Sequence, residues 1–247
     1  MSPWRGWNLY AAVEYAMTEL SIIIPVLNEA ASIRAALLRL QDLRVRGVEV
    51  LVVDGGSCDG TLEQVKDLAD VAMTARRGRG VQMNAGAARA RGNVLLFLHA
   101  DTRLPDEADR LLRDGLARSK CAWGRFDIAI EGRSPLLPIV AAMMNLRSRV
   151  TGIATGDQAM FMTREAFARA GKFPEIPLME DVAVSRRLKR ISPPLGLKVR
   201  AVTSGRRWDE RGALRTILLM WRLRLAYFCG AAPETLARRY GYVSCRS

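Results

Sequence analysis

Apolar residues fall in short unbroken runs through the first half of the chain, and each run is followed by a stretch with helical spacing. Leu20-Ser21-Ile22-Ile23-Ile24, stopped by Pro25, predicts a strand buried on both faces. Ile33, Leu37, Leu38 and Leu40 predict a helix over 31–43. Residues 48–53 predict a second buried strand ending at Asp54, followed by a Gly55-Gly56-Ser57 turn. A helix over 61–68, a weaker strand over 71–73 and an Ala-rich helix over 81–91 come next. Val94-Leu95-Leu96-Phe97-Leu98 is a strongly apolar strand that ends at His99-Ala100-Asp101.

Unbroken strands alternating with helices predict an α/β fold with a mostly parallel sheet covered on both faces, Rossmann-like in plan. Such sheets bind ligands beyond the carboxyl ends of their strands, where Asn28, Glu29, Asp54 and Asp101 gather. Past residue 120 the pattern changes. Strands are predicted over 126–130 and 159–162, and helices over 135–150, 179–190 and 213–228. The expected organisation is one domain over 17–210, with a nucleotide-binding half to about 120 and an acceptor half from 121. A helical extension covers 211–247, and residues 1–16 form a lead-in kept out of the fold argument.

Composition changes this picture little. The 247 residues are 49% hydrophobic and 26% charged, which suits a globular protein. The net charge of +13 favours anionic partners. No nucleic-acid-binding motif accompanies it, so nucleic acid is not expected as a partner. Cys58, Cys121, Cys229 and Cys245 are too scattered for a zinc site and fit reduced thiols in the cytoplasm. The one histidine, His99, has no nucleophile elbow near it. No run is long and apolar enough to span a membrane, and the N-terminus lacks the features of a signal peptide. The 213–228 helix carries Trp221, Tyr227 and Phe228 beside Arg215, Arg222 and Arg224. It reads either as a core-facing helix with snorkelling arginines or as a peripheral contact at the inner membrane surface.

Several segments carry candidate chemistry. Asp54-Gly55-Gly56-Ser57-Cys58-Asp59-Gly60-Thr61 offers close backbone approach at Gly56, polar groups at Ser57 and a helix start that suits an anion. It equally suits a tight turn capped by Asp59 or Thr61. Asp101, at a strand end, is a site for Mg²⁺ or Mn²⁺ completed by substrate phosphates, with His99 either a ligand or a structural histidine. Glu180-Asp181 opens a helix, as caps or as a general base. Gly156-Asp157 reads as an acceptor loop or a turn.

Taken in order, Pro25-Val26-Leu27-Asn28-Glu29, Asp54-Gly55-Gly56-Ser57-x-Asp59-Gly60-Thr61, His99-Ala100-Asp101-Thr102 and Glu180-Asp181 resemble family-2 glycosyltransferases of the GT-A fold over about 18–210. The segment from Arg79 to Ala87 also resembles that family. Overall look resembles a bacterial subgroup associated with arsenosugar biosynthesis. The resemblance implies a UDP- or GDP-linked sugar donor bordered by Pro25, Asn28 and Glu29, with Asp54 contacting base or ribose. Arg79 and Asn84 would lie near the diphosphate. Asp101 looks like the last Asp of the D-x-D metal motif, Asp181 like the catalytic base with Glu180 beside it, and Arg207-Trp208 like the end of a Q-x-x-R-W motif. Here His99 replaces the first acid of D-x-D and Ser204 the Gln.

The implied reaction is an inverting, metal-assisted transfer of a single sugar to an acceptor hydroxyl, in arsenosugar or other small glycoconjugate synthesis. Alternatives are nucleotidyl transfer, against which the 25–29 loop argues, and a membrane-surface enzyme with a lipid acceptor.

Overall fold

The computed structural model describes residues 20–241. The first half comprises β1 (Leu20–Val26), α1 (Ala30–Leu38), α2 (Gln41–Val45), β2 (Glu49–Asp54), β3 (Val71–Thr74), α3 (Arg79–Arg89), β4 (Val94–Phe97), β5 (Thr102–Arg103) and α4 (Ala108–Arg118). The rest comprises β6 (Trp123–Glu131), α5 (Leu137–Thr151), β7 (Met160–Thr163), α6 (Arg164–Arg169), α7 (Glu180–Leu188), β8 (Leu195–Ser204), α8 (Arg206–Arg211), α9 (Ala213–Phe228) and α10 (Pro233–Tyr240). Two short 3₁₀ turns, Leu62–Val65 and Gly156–Gln158, sit between them. The lead-in over 1–16 and Cys245 lie outside the described residues.

The unbroken apolar runs of β1, β2 and β4 are explained by burial on both faces. Ile22, Ile24, Val50, Val52 and Leu96 pack on one side, with Ile33 and Leu37 of α1. Ile23, Leu51, Val53, Leu95 and Phe97 pack on the other, with Met83 and Ala87 of α3. Alternate side chains of each strand thus feed two separate cores.

All the strands join one sheet in the order β3-β2-β1-β4-β7-β6-β8-β5. The first four strands are parallel. β7 is antiparallel to both β4 and β6, while β6 and β8 run parallel. β2 and β4 flank β1 in the same direction, so Asp54 and Asp101 stand on one edge of the sheet with Asn28 between them.

Several sequence expectations need revision. The helix over 31–43 is two helices broken at Arg39-Leu40, and the break leaves Ile33, Leu37, Leu40 and Leu43 all buried. The helix over 61–68 shrinks to Leu62–Val65, since Asp67 takes a left-handed conformation with φ 66 that a helix cannot continue through. Strand β8 was hidden because it is half exposed, carries Lys198 and Arg200 on its other face, slips register between Leu197 and Arg200, and follows two prolines. α5 conforms to expectation, with Pro138 in its first turn and Gly152 left-handed at its end. Among the described residues no helix is long and apolar enough to cross a membrane.

Candidate functional site

The carboxyl ends of β1 and β2 are tied into one rim. The Asn28 N–H donates to Ser57 Oγ at 2.8 Å, and the Cys58 N–H donates to Asn28 Oδ1 at 3.0 Å. The Glu29 N–H donates to Thr61 Oγ1 at 2.9 Å, while the Ala30 N–H donates to Asp59 Oδ2 at 3.0 Å. Beneath the rim, Gln82 Nε2 donates to the carbonyls of Val26 and Val53 at 2.8 Å each.

Asp54 braces this rim. Its Oδ2 accepts the N–H groups of Gly56 and Ser57 at 2.9 and 2.8 Å, its Oδ1 accepts the Ser57 hydroxyl, and the residue is 1% exposed. The carboxylate thus holds the turn at Gly56 and Ser57 that was expected to border the nucleoside. Asn84 is also redirected. Its side chain donates to the Phe173 carbonyl at 2.9 Å and accepts the Phe173 N–H at 3.0 Å, pinning the 173 loop.

A cavity of about 590 Å³ opens where the two halves meet and brings together Arg79, His99, Asp101, Asp157, Arg207 and Trp208. The Gly156–Gln158 turn is its hub. The Gly156 N–H donates to Asp181 Oδ2 at 2.9 Å, and the Val182 N–H donates to Asp181 Oδ1 at 2.7 Å. One residue on, Asp157 Oδ1 lies 3.3 Å from His99 Nδ1. A Cβ at Gly156 would strike the His99 imidazole, so the ring lies directly on the glycine backbone.

This pair moves both pKa values. Burial opposes protonation of His99 most strongly, but the bond to Asp157 together with the charges of Asp157 and Asp101 outweighs it and raises the imidazole above its ordinary value. Burial would raise Asp157, but His99 first, then Arg79 and Arg207, hold it down to about 2. Glu180 is 2% exposed and turns away from Asp181 to meet Arg79, with Oε1 2.8 Å from Nε. Its buried Oε2 has no hydrogen-bond partner among the described residues. Burial, together with neighbouring Asp181, raises the Glu180 pKa against the opposing Arg79 charge. Glu180 thus anchors Arg79.

Among the described residues no three His, Cys, Asp or Glu side chains converge on a cation site. Asp101 is exposed, and among the described residues its carboxylate receives a single 3.4 Å contact, from Thr102 Oγ1. One open carboxylate suits Mg²⁺ or Mn²⁺, whose remaining ligands come from phosphate and water, and does not suit a closed zinc cage.

Two arginines of the cavity were not singled out as site residues from sequence. Arg147 of α5 and Arg224 of α9 both line it. A guanidinium placed three residues after the apolar run of 137–144 is the signal at Arg147. Arg207 stacks on Tyr240, 5.0 Å from the ring centroid, and Trp208 packs on Ile128, Ile130 and Leu137.

The family model "Glycosyl transferase family 2" matches residues 21–166. An Aeromonas hydrophila undecaprenyl-phosphate 4-deoxy-4-formamido-L-arabinose transferase is 34% identical over 98 residues, 35% of this chain and 30% of that protein. A Mycobacterium bovis PGL/p-HBAD biosynthesis glycosyltransferase is 39% identical over 100 residues, 38% of this chain and 39% of that protein. The matched segment thus spans only about a third of these relatives' lengths. Among solved structures, the Pyrobaculum calidifontis mannosyltransferase PcManGT with GDP-Man and Mn²⁺ superposes with TM-score 0.60 and 22% identity, covering 88% of this chain and 67% of its own. Mycobacterium tuberculosis glucosyl-3-phosphoglycerate synthase gives TM-score 0.59 and 18% identity, covering 99% of this chain and 88% of its own. These likenesses establish the fold, a mixed α/β GT-A architecture with a curled sheet.

Proposed function

The chain belongs to glycosyl transferase family 2, and on that premise we propose that it moves one sugar from a UDP- or GDP-linked donor to an acceptor hydroxyl, with inversion. The observation that carries this reading is Asp181, its carboxylate aimed by two backbone N–H groups beside the cavity. Asp181 takes the proton of the acceptor hydroxyl as that oxygen bonds to the anomeric carbon. The bond from that carbon to the diphosphate oxygen breaks, and the nucleoside diphosphate leaves.

The rim around Pro25, Asn28, Glu29, Gly56 and Ser57 holds base and ribose, with Asp54 bracing it. Arg79, held by Glu180, faces the diphosphate. Asp101 would hold Mg²⁺ or Mn²⁺ with donor phosphate oxygens, and such an ion offsets charge on the leaving group. Gly156, Asp157, Arg207 and Trp208 border the acceptor.

Two acceptor classes have support. Resemblance to the arsenosugar-associated subgroup favours a small glycoconjugate. Relatives named for undecaprenyl phosphate and for PGL biosynthesis favour a lipid. The free thiols of Cys58, Cys121 and Cys229 support a cytoplasmic place, including the inner membrane surface. Release of nucleoside diphosphate from a panel of UDP- and GDP-sugars, with product linkage read by NMR, tests the reading. Retention of anomeric configuration would refute the single displacement, and release from none of the donors would refute the transfer.

A further inference from the structure

The cavity has a charged end and an apolar end. At the charged end, Nε and Nη2 of Arg147 are buried and have no hydrogen-bond partner among the described residues. Burial, and then the neighbouring Arg224, bring its pKa down to about 10. Burial also lowers that of Arg224, and Asp181 and Asp157 are the acids that oppose it. The buried edge of the Arg147 guanidinium, with half-buried Arg224 beside it and neither paired to a carboxylate among the described residues, leaves a place for an anion beside the candidate base.

From this end the cavity continues between α5 and α9, walled by Met143, Met144, Ile217, Met220 and Trp221. The outer surfaces of the same helices carry two apolar stripes. Ile139, Met143, Leu146 and Val150 of α5 are 46% to 76% exposed. Leu218, Trp221, Leu225 and Phe228 of α9 are 57% to 66% exposed. The spacings of three and four residues place each set on one helix face. Met143 and Trp221 belong both to a stripe and to the cavity wall, so apolar surface runs unbroken from outside to inside. These two helices contain five arginines and no acidic residue. Apolar stripes with charge of one sign match an anionic lipid surface.

We propose that the acceptor is an anionic amphiphile drawn from a bilayer. Its head-group anion lies between Arg147 and Arg224, and its apolar chain leaves between α5 and α9, which dock on an anionic lipid surface. This proposal rests on the sugar transfer proposed above and names its acceptor class.

Two measurements on the full chain test it. In the first, zwitterionic phospholipid vesicles, with and without added anionic phospholipid, are sedimented with the chain and with its L146E/V150E and L218E/L225E variants. The chain should bind the anionic vesicles, and either pair should weaken binding by at least about tenfold. Equal binding by both variants, or a dimer that they split, would overturn the docking face. In the second, dodecyl phosphate, inorganic phosphate and dodecanol are compared by thermal shift. Dodecyl phosphate alone should stabilise the chain, and Arg147→Gln should abolish that shift while the nucleotide-sugar shift persists. An equal shift with inorganic phosphate would overturn the amphiphile in favour of a small phosphorylated compound. An equal shift with dodecanol would overturn the anion site. A chain that binds dodecyl phosphate as expected but no nucleotide sugar would refute the transferase reading and support the lipid site alone.

Discussion

Arg79 Nε meets Glu180 Oε1 at 2.8 Å, joining the first turn of α3 in the first half of the chain to the first turn of α7 in the second. The contact ties the proposed diphosphate arginine to the residue preceding the proposed base. Removing Arg79 would leave a 2% exposed carboxylate without its counter-charge. Arg79→Ala should cost about 3 kcal/mol of stability, within the range for a broken buried pair. Urea unfolding of the nucleotide-free protein measures this; a loss near zero would mean that Glu180 is already protonated.

Asp181→Asn keeps the shape of the side chain and removes the base. Turnover should fall by roughly 10²- to 10⁴-fold, the usual contribution of a positioned base, while donor affinity by calorimetry stays unchanged. Wild-type turnover in this variant would eliminate Asp181 as the base.

The His99–Asp157 pair predicts a pH effect. The folded pKa of His99 lies above its ordinary 6.5. The folded protein therefore holds a proton that the unfolded chain releases. This stabilisation is complete below pH 6.5 and is lost as pH rises through the folded value. The melting temperature should fall across that window, and Asp157→Asn should flatten the fall. A slope of equal size in the variant would trace it to other groups.

Gly156→Ala would push a methyl group into the His99 ring. Overpacking of this kind costs about 1–3 kcal/mol. Because Gly156 also donates to Asp181, turnover should drop more than stability does. Parallel melting and rate measurements separate the two effects.

Chelation tests Asp101. Its open carboxylate predicts that donor binding weakens in EDTA and recovers with Mn²⁺, and that Asp101→Asn no longer responds to either. Equal donor affinity with and without chelator would remove the cation from the site.

Burial on both faces needs apolar residues at every position, so β1, β2 and β4 were readable as unbroken runs. β8 and α4 were not. β8 lies half exposed and admits Lys198 and Arg200, while α4 carries three arginines among its apolar positions. The site was legible as a set of acidic segments, but not as roles. Asp54, Asn84 and Glu180 each find a partner that local sequence does not name: a turn, a distant backbone and an arginine of another helix.

The sequence by itself determined the α/β alternation, the polar residues at strand ends and the family resemblance, because these follow from local periodicity and short motifs. Only the tertiary structure decided which carboxylates face the cavity and which serve as braces. It alone set Gly156 between His99 and Asp181, and brought Arg147 together with Arg224. Such placements depend on packing between helices and strands far apart in the chain, where side-chain direction, burial and unpaired charge are settled together.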